Sequence, residues 1–193
     1  MTRIELFLTL REELEALFQG RLNVFLISEE INQSANTFSV LFVGQPKDGE
    51  TAGKGQPGRG EVPEKVIVGR YAELKNRFYN KNVPPFSEEF LLDLGYDYGA
   101  GVCVVHYLNL PVLFRGRGAG AQVVKKIEKL GKQVGIRTIS VPAEHNAVNF
   151  WLKQGYSFTN AREKEFFQRH EDRNNLFIAY DLHKNLSNFH QEG

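Results

Sequence analysis

The stretch that most constrains the fold is residues 102–134, which read VCVVHYLNLPVLFRGRGAGAQVVKKIEKLGKQV. Its first part, residues 102–110, is an almost continuous apolar run, which favours a strand covered on both faces. A turn with glycines at Gly116, Gly118 and Gly120 follows and leads directly into a helical pattern. A strand, a glycine-rich turn and a helix N-terminus can present backbone N–H groups to an anion. The stretch therefore predicts a binding site for a phosphate-bearing cofactor.

The segments on either side of this turn have their own patterns. After it, Val123, Ile127, Leu130 and Val134 are spaced i, i+4, i+7 and i+11, which predicts one buried helical stripe. Before it, Pro111 cannot donate to a strand ladder, so we expect the strand to bulge or end there. The backbone N–H and C=O groups left unpaired at that point could bind an extended ligand, or the strand could simply end there. The sequence leaves both interpretations open.

Composition limits the possible classes of protein. A length of 193 residues favours a single domain, residues 1–193, with a substantial core. The formal charge of +1 argues against nucleic acid or a membrane surface as a partner. Cys103 is the only cysteine, so no intrachain disulfide or thiolate zinc cluster forms, and no metal site is predicted. The poor match to a signal peptide and the lack of a long apolar run lead us to expect a cytoplasmic protein.

The residues before the central strand predict short elements around one long loop. Residues 44–63 hold six glycines and three prolines, which predicts a mobile surface loop. The predicted elements are a strand over residues 4–9, a helix ending near Gly20, a hairpin of residues 23–29 and 37–43, a strand over residues 65–70, a helix over residues 72–80 and a helix from Ser87 to Gly95.

After the glycine turn and its helix, the sequence predicts further strands. Residues 138–142 predict one strand, and the alternation of Leu176, Ile178, Tyr180 and Leu182 predicts the last one. The charged residues 163–173 lie between the closing strands. They either wall an acceptor site or form a solvated helix.

Two motifs in order resemble one family. The segment R-G-R-G-A-G, residues 115–120, is similar to the R/Q-x-x-G-x-G/A signature of the GCN5-related N-acetyltransferase (GNAT) family. The stretch AEHNAVNFWLKQGYSF, residues 143–158, resembles the family's second motif, a helix with an alanine and an aromatic residue that ends in Gly-Phe. The resemblance covers residues 102–158 and concerns the fold and the cofactor rather than the substrate.

The resemblance implies a fold and a cofactor. The fold is an α/β domain with a mixed, mostly antiparallel sheet flanked by helices. The sheet splays between the central strand (about 102–110) and the next (about 137–142), and the thioester sits in that gap. Acetyl-CoA, or a related acyl-CoA, is the implied co-substrate, with its pyrophosphate on the amides of the glycine turn. The implied cofactor-binding residues are Leu108, Asn109, Leu110, Arg115, Gly116, Arg117, Gly118, Ala119, Gly120, Asn146 and Trp151.

The implied activity is acetyl transfer to an amine by direct attack in a ternary complex. Candidate proton acceptors are His106 and Tyr107 on the central strand, and Glu144 or His145 after the next strand. Of these, Tyr107, Glu144 and His145 are taken as the candidate catalytic residues, because His106 is expected to be a packed ring with a satisfied hydrogen bond. Trp151 stands where many members carry a tyrosine that protonates the CoA thiolate, and an indole N–H lacks the acidity for this step.

Two other functions remain open at the level of sequence. One is a non-catalytic acyl-CoA sensor or interaction module, and the other is an acyl-CoA enzyme that acts on a thiol or malonyl group. The expected partner is an amine-bearing acceptor, without nucleic acid or membrane, and the expected state is a monomer or homodimer.

Overall fold

A seven-stranded sheet in the order β1-β2-β3-β4-β5-β7-β6 organises the computed structural model, which describes residues 3–32, 37–46, 90–173 and 178–186. The strands are β1 (Leu22–Asn32), β2 (Thr37–Pro46), β3 (Phe90–Asp97), β4 (Val102–Asn109), β5 (Thr138–Glu144), β6 (Ser157–Phe158) and β7 (Ala179–Asn185). Neighbours pair antiparallel except β4 and β5, which pair parallel. The predicted mixed, mostly antiparallel sheet is confirmed.

Helices flank this sheet. They are α1 (Arg3–Leu17), α2 (Ala119–Gln133), α3 (Val148–Lys153) and α4 (Ala161–His170), with short 3-10 helices at Val112–Phe114 and His145–Ala147. The charged segment after β6 is thus a helix, and its only buried residue is Phe167. Within the described ranges, no helix has the length and apolarity needed to cross a membrane.

The strand predicted over residues 4–9 is wrong, because α1 begins at Arg3. In a strand, Leu6 and Leu8 would share one face; here Leu6 and Phe7 are both buried while Leu8 is exposed. This pattern follows the 3.6-residue helical period. The buried face continues through Leu10, Leu14 and Phe18, as predicted for the second half of the helix.

The helix predicted up to Gly95 is also wrong, because residues 90–97 form β3. Phe90, Leu92, Leu94 and Tyr96 are almost completely buried, which is the two-residue period of a strand. Leu91 on the opposite face is buried as well. A short apolar run that is covered on both faces has no clear periodicity, so its sequence does not separate a strand from a helix.

The predicted hairpin is confirmed by the antiparallel pairing of β1 with β2. β2 extends to Pro46, three residues into the segment predicted as a loop. The rest of that loop, the strand over 65–70, the helix over 72–80 and Ser87 lie outside the described residues.

The two long helices lie against each other and contribute to one core. Val123, Ile127 and Leu130 of α2 are buried, and Val134 packs against the same cluster, which confirms the predicted stripe. Glu13 of α1 accepts hydrogen bonds from Lys126 (3.1 Å) and Lys129 (3.0 Å) of α2. These ion pairs fix α2, whose N-terminus forms the glycine turn, relative to α1.

Candidate cofactor and acyl-transfer site

β4 and β5 separate after a short parallel contact. Only three pairs join them, from Val102 with Thr138 to Val104 with Ser140. Beyond Ser140, β5 no longer pairs with β4, but it stays paired with β7 on its other side up to Glu144. The predicted splay between the central strand and the next is present, and it leaves the second half of β4 facing a gap.

A bulge interrupts β4 where it borders this gap. Asp93 of β3 pairs with Tyr107, but the next β3 residue, Leu94, pairs with Val105, so His106 is the extra residue. The interruption predicted near Pro111 therefore has two parts. β4 ends at Asn109, Pro111 precedes the first 3-10 helix, and the bulge lies five residues earlier than Pro111.

The glycine turn is open to solvent and has the backbone geometry of an anion site. Gly116 and Gly118 have φ values of 71° and 80°, which other residues rarely adopt. A Cβ at either position would meet no atom of the described residues within 4 Å. Gly118 is the N-cap of α2, so the first amides of that helix point into the turn. Within residues 90–173, no carbonyl accepts a hydrogen bond from the amides of Gly116, Arg117 or Gly118.

Gly120 has a different role, because it lies inside α2 against other side chains. A Cβ there would come within 3.1 Å of Phe150 and 3.2 Å of Leu110. The glycine therefore lets the start of α2 approach both the end of β4 and helix α3. Ala119 beside it is buried.

Arg115 is held against the strand end by its own side chain. Its Nε donates to the carbonyl of Leu110 (2.7 Å), and its guanidinium also donates to Oδ1 of buried Asn109 (3.0 Å). Arg117 is exposed, and no hydrogen bond or ion pair is found for it in the described part of the chain. Of the two arginines in the turn, Arg115 is therefore held in place by the strand end, whereas the Arg117 side chain has no such restraint among the described residues.

Tyr107 and Glu144 interact across the gap. Burial of the phenol, together with the nearby Glu144 carboxylate, raises the pKa of Tyr107 to about 12, although the Arg115 guanidinium partly opposes this. Glu144 is the exposed last residue of β5. A phenol with this pKa remains protonated at neutral pH, so Tyr107 can donate a proton but is a poor acceptor.

His145 is buried rather than placed in an open loop. Its Nδ1 lies 3.0 Å from the hydroxyl of Tyr180 on β7, and its ring packs on Phe167 of α4. Its Nε2 is also buried, and among the described residues it has no hydrogen-bond partner. Burial and the Glu163 carboxylate raise the pKa of Tyr180. These contacts come from β7 and α4 rather than from β4.

The remaining predicted cofactor residues differ in how far their side chains are buried. Trp151 is buried in α3 and packs edge-on against Phe150 and Tyr156. Asn146 is exposed in the 3-10 helix after β5, and Leu108 packs against the core. The structure therefore brings the glycine turn, the end of β4 and α3 together, with Trp151 as part of the aromatic packing.

The expectation that His106 is a packed ring is wrong, and the role of Gly95 beside it was missed by sequence reasoning. His106 is exposed rather than packed, and its ring lies over Gly95 of β3. An isolated glycine within a strand often marks a bulge or a close approach, but this signal was lost because Gly95 was placed at a helix end.

Thiol and metal chemistry receive no support from the described part of the chain. Cys103 is fully buried, and this burial raises its pKa to about 12. No group of at least three His, Cys, Asp or Glu side chains that could hold a metal ion occurs among the described residues.

Comparison with known proteins gives one family match. Residues 91–156, about a third of the chain, match the model described as the acetyltransferase (GNAT) family. A search of curated proteins found no match.

Solved acetyltransferases are similar at low identity. A Bacillus subtilis acetyltransferase in complex with CoA is 15% identical, with a TM-score of 0.43 over 86% of this chain and 99% of that chain. Nourseothricin acetyltransferase is 10% identical, with a TM-score of 0.44 over 83% and 72%. Tetrahymena GCN5 is 12% identical, with a TM-score of 0.42 over 64% and 84%.

These structural likenesses are weak, so the assignment depends on the family match and on the sheet itself. The matched segment contains β3, β4, the glycine turn, β5 and α3, which are the elements that form the gap and the turn. The resemblance inferred from the sequence is confirmed. Over residues 91–156 the chain matches the acetyltransferase (GNAT) family.

Proposed function

We propose that this protein is an N-acetyltransferase that transfers the acetyl group of acetyl-CoA directly to an amine. The family indicates an acyl-CoA-dependent acetyltransferase. The observation that carries the proposal is the open glycine turn at the start of α2, next to the gap between β4 and β5. The glycine turn suits the phosphates of CoA, and the gap between β4 and β5 suits its thioester.

The glycine turn is proposed to bind the CoA pyrophosphate. Its free amides and the positive end of the α2 dipole attract an anion, and Arg117 adds an available charge. The absence of neighbours around Gly116 and Gly118 leaves room for the phosphates. Arg115 is proposed to act by holding the turn against the end of β4, because its guanidinium is already bonded there.

Tyr107 is proposed to donate a proton as the thioester breaks. When the amine nitrogen attacks the carbonyl carbon, negative charge develops first on the carbonyl oxygen and then on the departing sulfur. A donor placed near these atoms stabilises that charge. Tyr107 borders the gap, and with its pKa raised to about 12 it keeps its proton at neutral pH, as a tyrosine with the ordinary pKa also would. It can supply the proton that Trp151 cannot.

Glu144 and His145 are proposed to have separate roles at the end of β5. Glu144 is exposed, and its charge reaches Tyr107 at the gap, so its carboxylate is proposed to attract a cationic amine acceptor. His145 is buried on the Tyr180 hydroxyl, so it is proposed to hold the end of β5 in position. Cys103 is buried with its pKa raised to about 12, which favours direct transfer over a thioester intermediate on the protein.

Incubation with acetyl-CoA and a panel of acceptors tests this proposal. The panel contains a polyamine, free amino acids, a peptide with a free N-terminus and a thiol, and mass spectrometry identifies the products. We expect one acetyl group on an amine and an equal amount of free CoA. Binding of acetyl-CoA without any transfer would favour a sensor. Transfer to the thiol alone, or transfer only from malonyl-CoA, would also contradict N-acetylation.

A further inference from the structure

His106 is the extra residue of the β4 bulge, and the bulge determines where its side chain lies. The residue follows Val104, the last β4 residue that pairs with β5, by two positions. It therefore belongs to the part of β4 that faces the gap. A regular strand would place residues 106 and 107 on opposite faces of the sheet. The bulge changes this alternation, because one residue of β4 has no partner in β3.

Gly95 shows which face His106 occupies. A Cβ built on Gly95 would lie 2.5 Å from the His106 Nε2, so the imidazole covers that glycine. Leu94 and Tyr96, the neighbours of Gly95, are buried on the other face of β3. Asp93, which pairs with Tyr107, is two residues from Gly95 and therefore lies on the same face of β3. His106 and Tyr107 therefore share one face of the sheet.

The His106 imidazole is accessible and contributes little to packing. Its side chain is exposed, and within the described ranges it has no hydrogen bond, ion pair or ring contact. The charged and titratable groups of neighbouring strands on its face are Asp93 and Asp97 of β3 and Tyr107 of β4. The bulge aims the His106 side chain over Gly95 of the neighbouring strand and leaves its imidazole without a hydrogen bond among the described residues, which suits a functional group better than a structural one.

We propose that His106 is the proton acceptor for the amine that attacks the thioester. The inference rests on the proposed function, because it needs an amine acceptor. As the nitrogen–carbon bond forms and the carbon–sulfur bond breaks, the proton leaving the amine nitrogen moves to the imidazole. The departing sulfur takes a different proton, from Tyr107. His106 is exposed, so it returns its proton to solvent, and the Tyr107 phenolate takes one proton back from solvent, which restores both side chains.

Chemical modification tests the location of His106 without any acceptor. Diethyl pyrocarbonate is added to the free protein and to the protein saturated with acetyl-CoA, and mass spectrometry locates the modified histidines. We expect His106 to react in the free protein and to be protected by acetyl-CoA. His170 and His183, on α4 and β7, serve as internal controls whose reactivity stays unchanged. Equal modification of His106 with and without acetyl-CoA would overturn the proposal.

Kinetics of His106→Ala test the role of the imidazole. With the acceptor found in the panel, we expect kcat to fall about 10²-fold while the KM for acetyl-CoA stays within about twofold. Added imidazole should restore part of the rate, because the site is exposed and the substitution leaves space. A purely structural role would not give such rescue. Unchanged kcat in this variant would overturn the role of His106 and leave N-acetylation intact, whereas a wild-type protein that acetylates no amine would overturn both.

Gly95→Ala displaces the imidazole without removing it. The new methyl group would force the ring away from its position, so we expect a lower kcat in this variant. In the His106→Ala background the same substitution should have no further effect on kcat. The matched control is Gly99→Ala, because a Cβ at Gly99 meets only the Asp97 carboxylate at 3.4 Å. Equal losses from Gly95→Ala in both backgrounds would contradict the proposal.

Discussion

The guanidinium of Arg115 donates a hydrogen bond to Oδ1 of Asn109 over 3.0 Å, which ties the glycine turn to the end of β4. A second bond, from Nε to the carbonyl of Leu110, is 2.7 Å long. One side chain therefore sets the position of the turn relative to the gap. Both bonds hold the Arg115 side chain against the strand end, so we expect it to affect a bound cofactor mainly through the position of the turn. We expect Arg117, which makes no such bond in the described chain, to contact the cofactor directly.

The first prediction separates these two arginines. Arg117→Ala should weaken acetyl-CoA binding about tenfold and reduce its salt dependence, with no change in Tm, because Arg117 is exposed and makes no hydrogen bond or ion pair with the rest of the described chain. Arg115→Lys should lower both affinity and Tm, because lysine cannot reproduce the fork of donors. Calorimetric titration at two salt concentrations and thermal denaturation measure these effects. A loss of affinity in Arg115→Lys with unchanged Tm would contradict a bracing role.

The second prediction concerns the proton donor. Tyr107→Phe removes the hydroxyl and keeps the ring, so kcat should fall about 10- to 100-fold while the affinity for acetyl-CoA is retained. Because the pKa of Tyr107 is raised to about 12, the phenol does not ionise below about pH 11, and the wild-type rate should show no loss from its titration between pH 7 and 10. Steady-state rates across this range check both points. Full activity of the phenylalanine variant would exclude Tyr107 as the donor.

The third prediction concerns the only cysteine. Cys103 is buried and its pKa is raised to about 12, so it should not react with a disulfide reagent at pH 8 until the protein unfolds. Cys103→Ala should lower stability by about 1 kcal/mol through the lost packing, and it should keep the transfer activity. An acetylated cysteine found by mass spectrometry during turnover would refute direct transfer.

The fourth prediction concerns the contact between α1 and α2. Hydrogen bonds from Lys129 and Lys126 hold the pKa of Glu13 below its ordinary value. A lowered pKa in the folded state stabilises the protein above the ordinary pKa, and this contribution is lost as the pH falls through the folded-state value.

Glu13→Gln should therefore lower stability by about 0.5 to 1 kcal/mol at pH 7, and the difference from wild type should disappear near pH 3. The matched control is Glu12→Gln, because Glu12 is exposed beside it. Denaturant titrations at both pH values give the measurement. A difference that is the same at both pH values would mean that charge plays no part.

The sequence predicted those elements whose pattern has one interpretation. The stripe of α2, with Val123 and Ile127, fits only a helical period, and the central strand is too apolar to lie at the surface. The glycine turn was predictable because glycine residues themselves indicate a backbone conformation that other residues rarely adopt. These elements form the cofactor side of the candidate site.

Other parts depend on contacts that the sequence does not record. Residues 4–9 alternate as a strand would, but Phe7 packs on Tyr96 of β3, and this tertiary contact selects the helix. Residues 90–97 are apolar on both faces of the strand, so the two-residue alternation that would identify a strand is missing from their sequence. The bulge at His106 is a matter of register between two strands, and register is set by the whole sheet.

Calorimetric titration of Gly118→Ala with acetyl-CoA tests the central claim most directly, with Gly135→Ala as its matched control. Both glycines have φ near +80°, and a Cβ meets nothing within 4 Å at either position, but Gly135 follows the other end of α2. Each substitution should cost about 1 kcal/mol of stability. We expect that only Gly118→Ala weakens binding, by at least tenfold. Equal affinities of both variants and wild type, or no binding by the wild-type protein at millimolar acetyl-CoA, would contradict it.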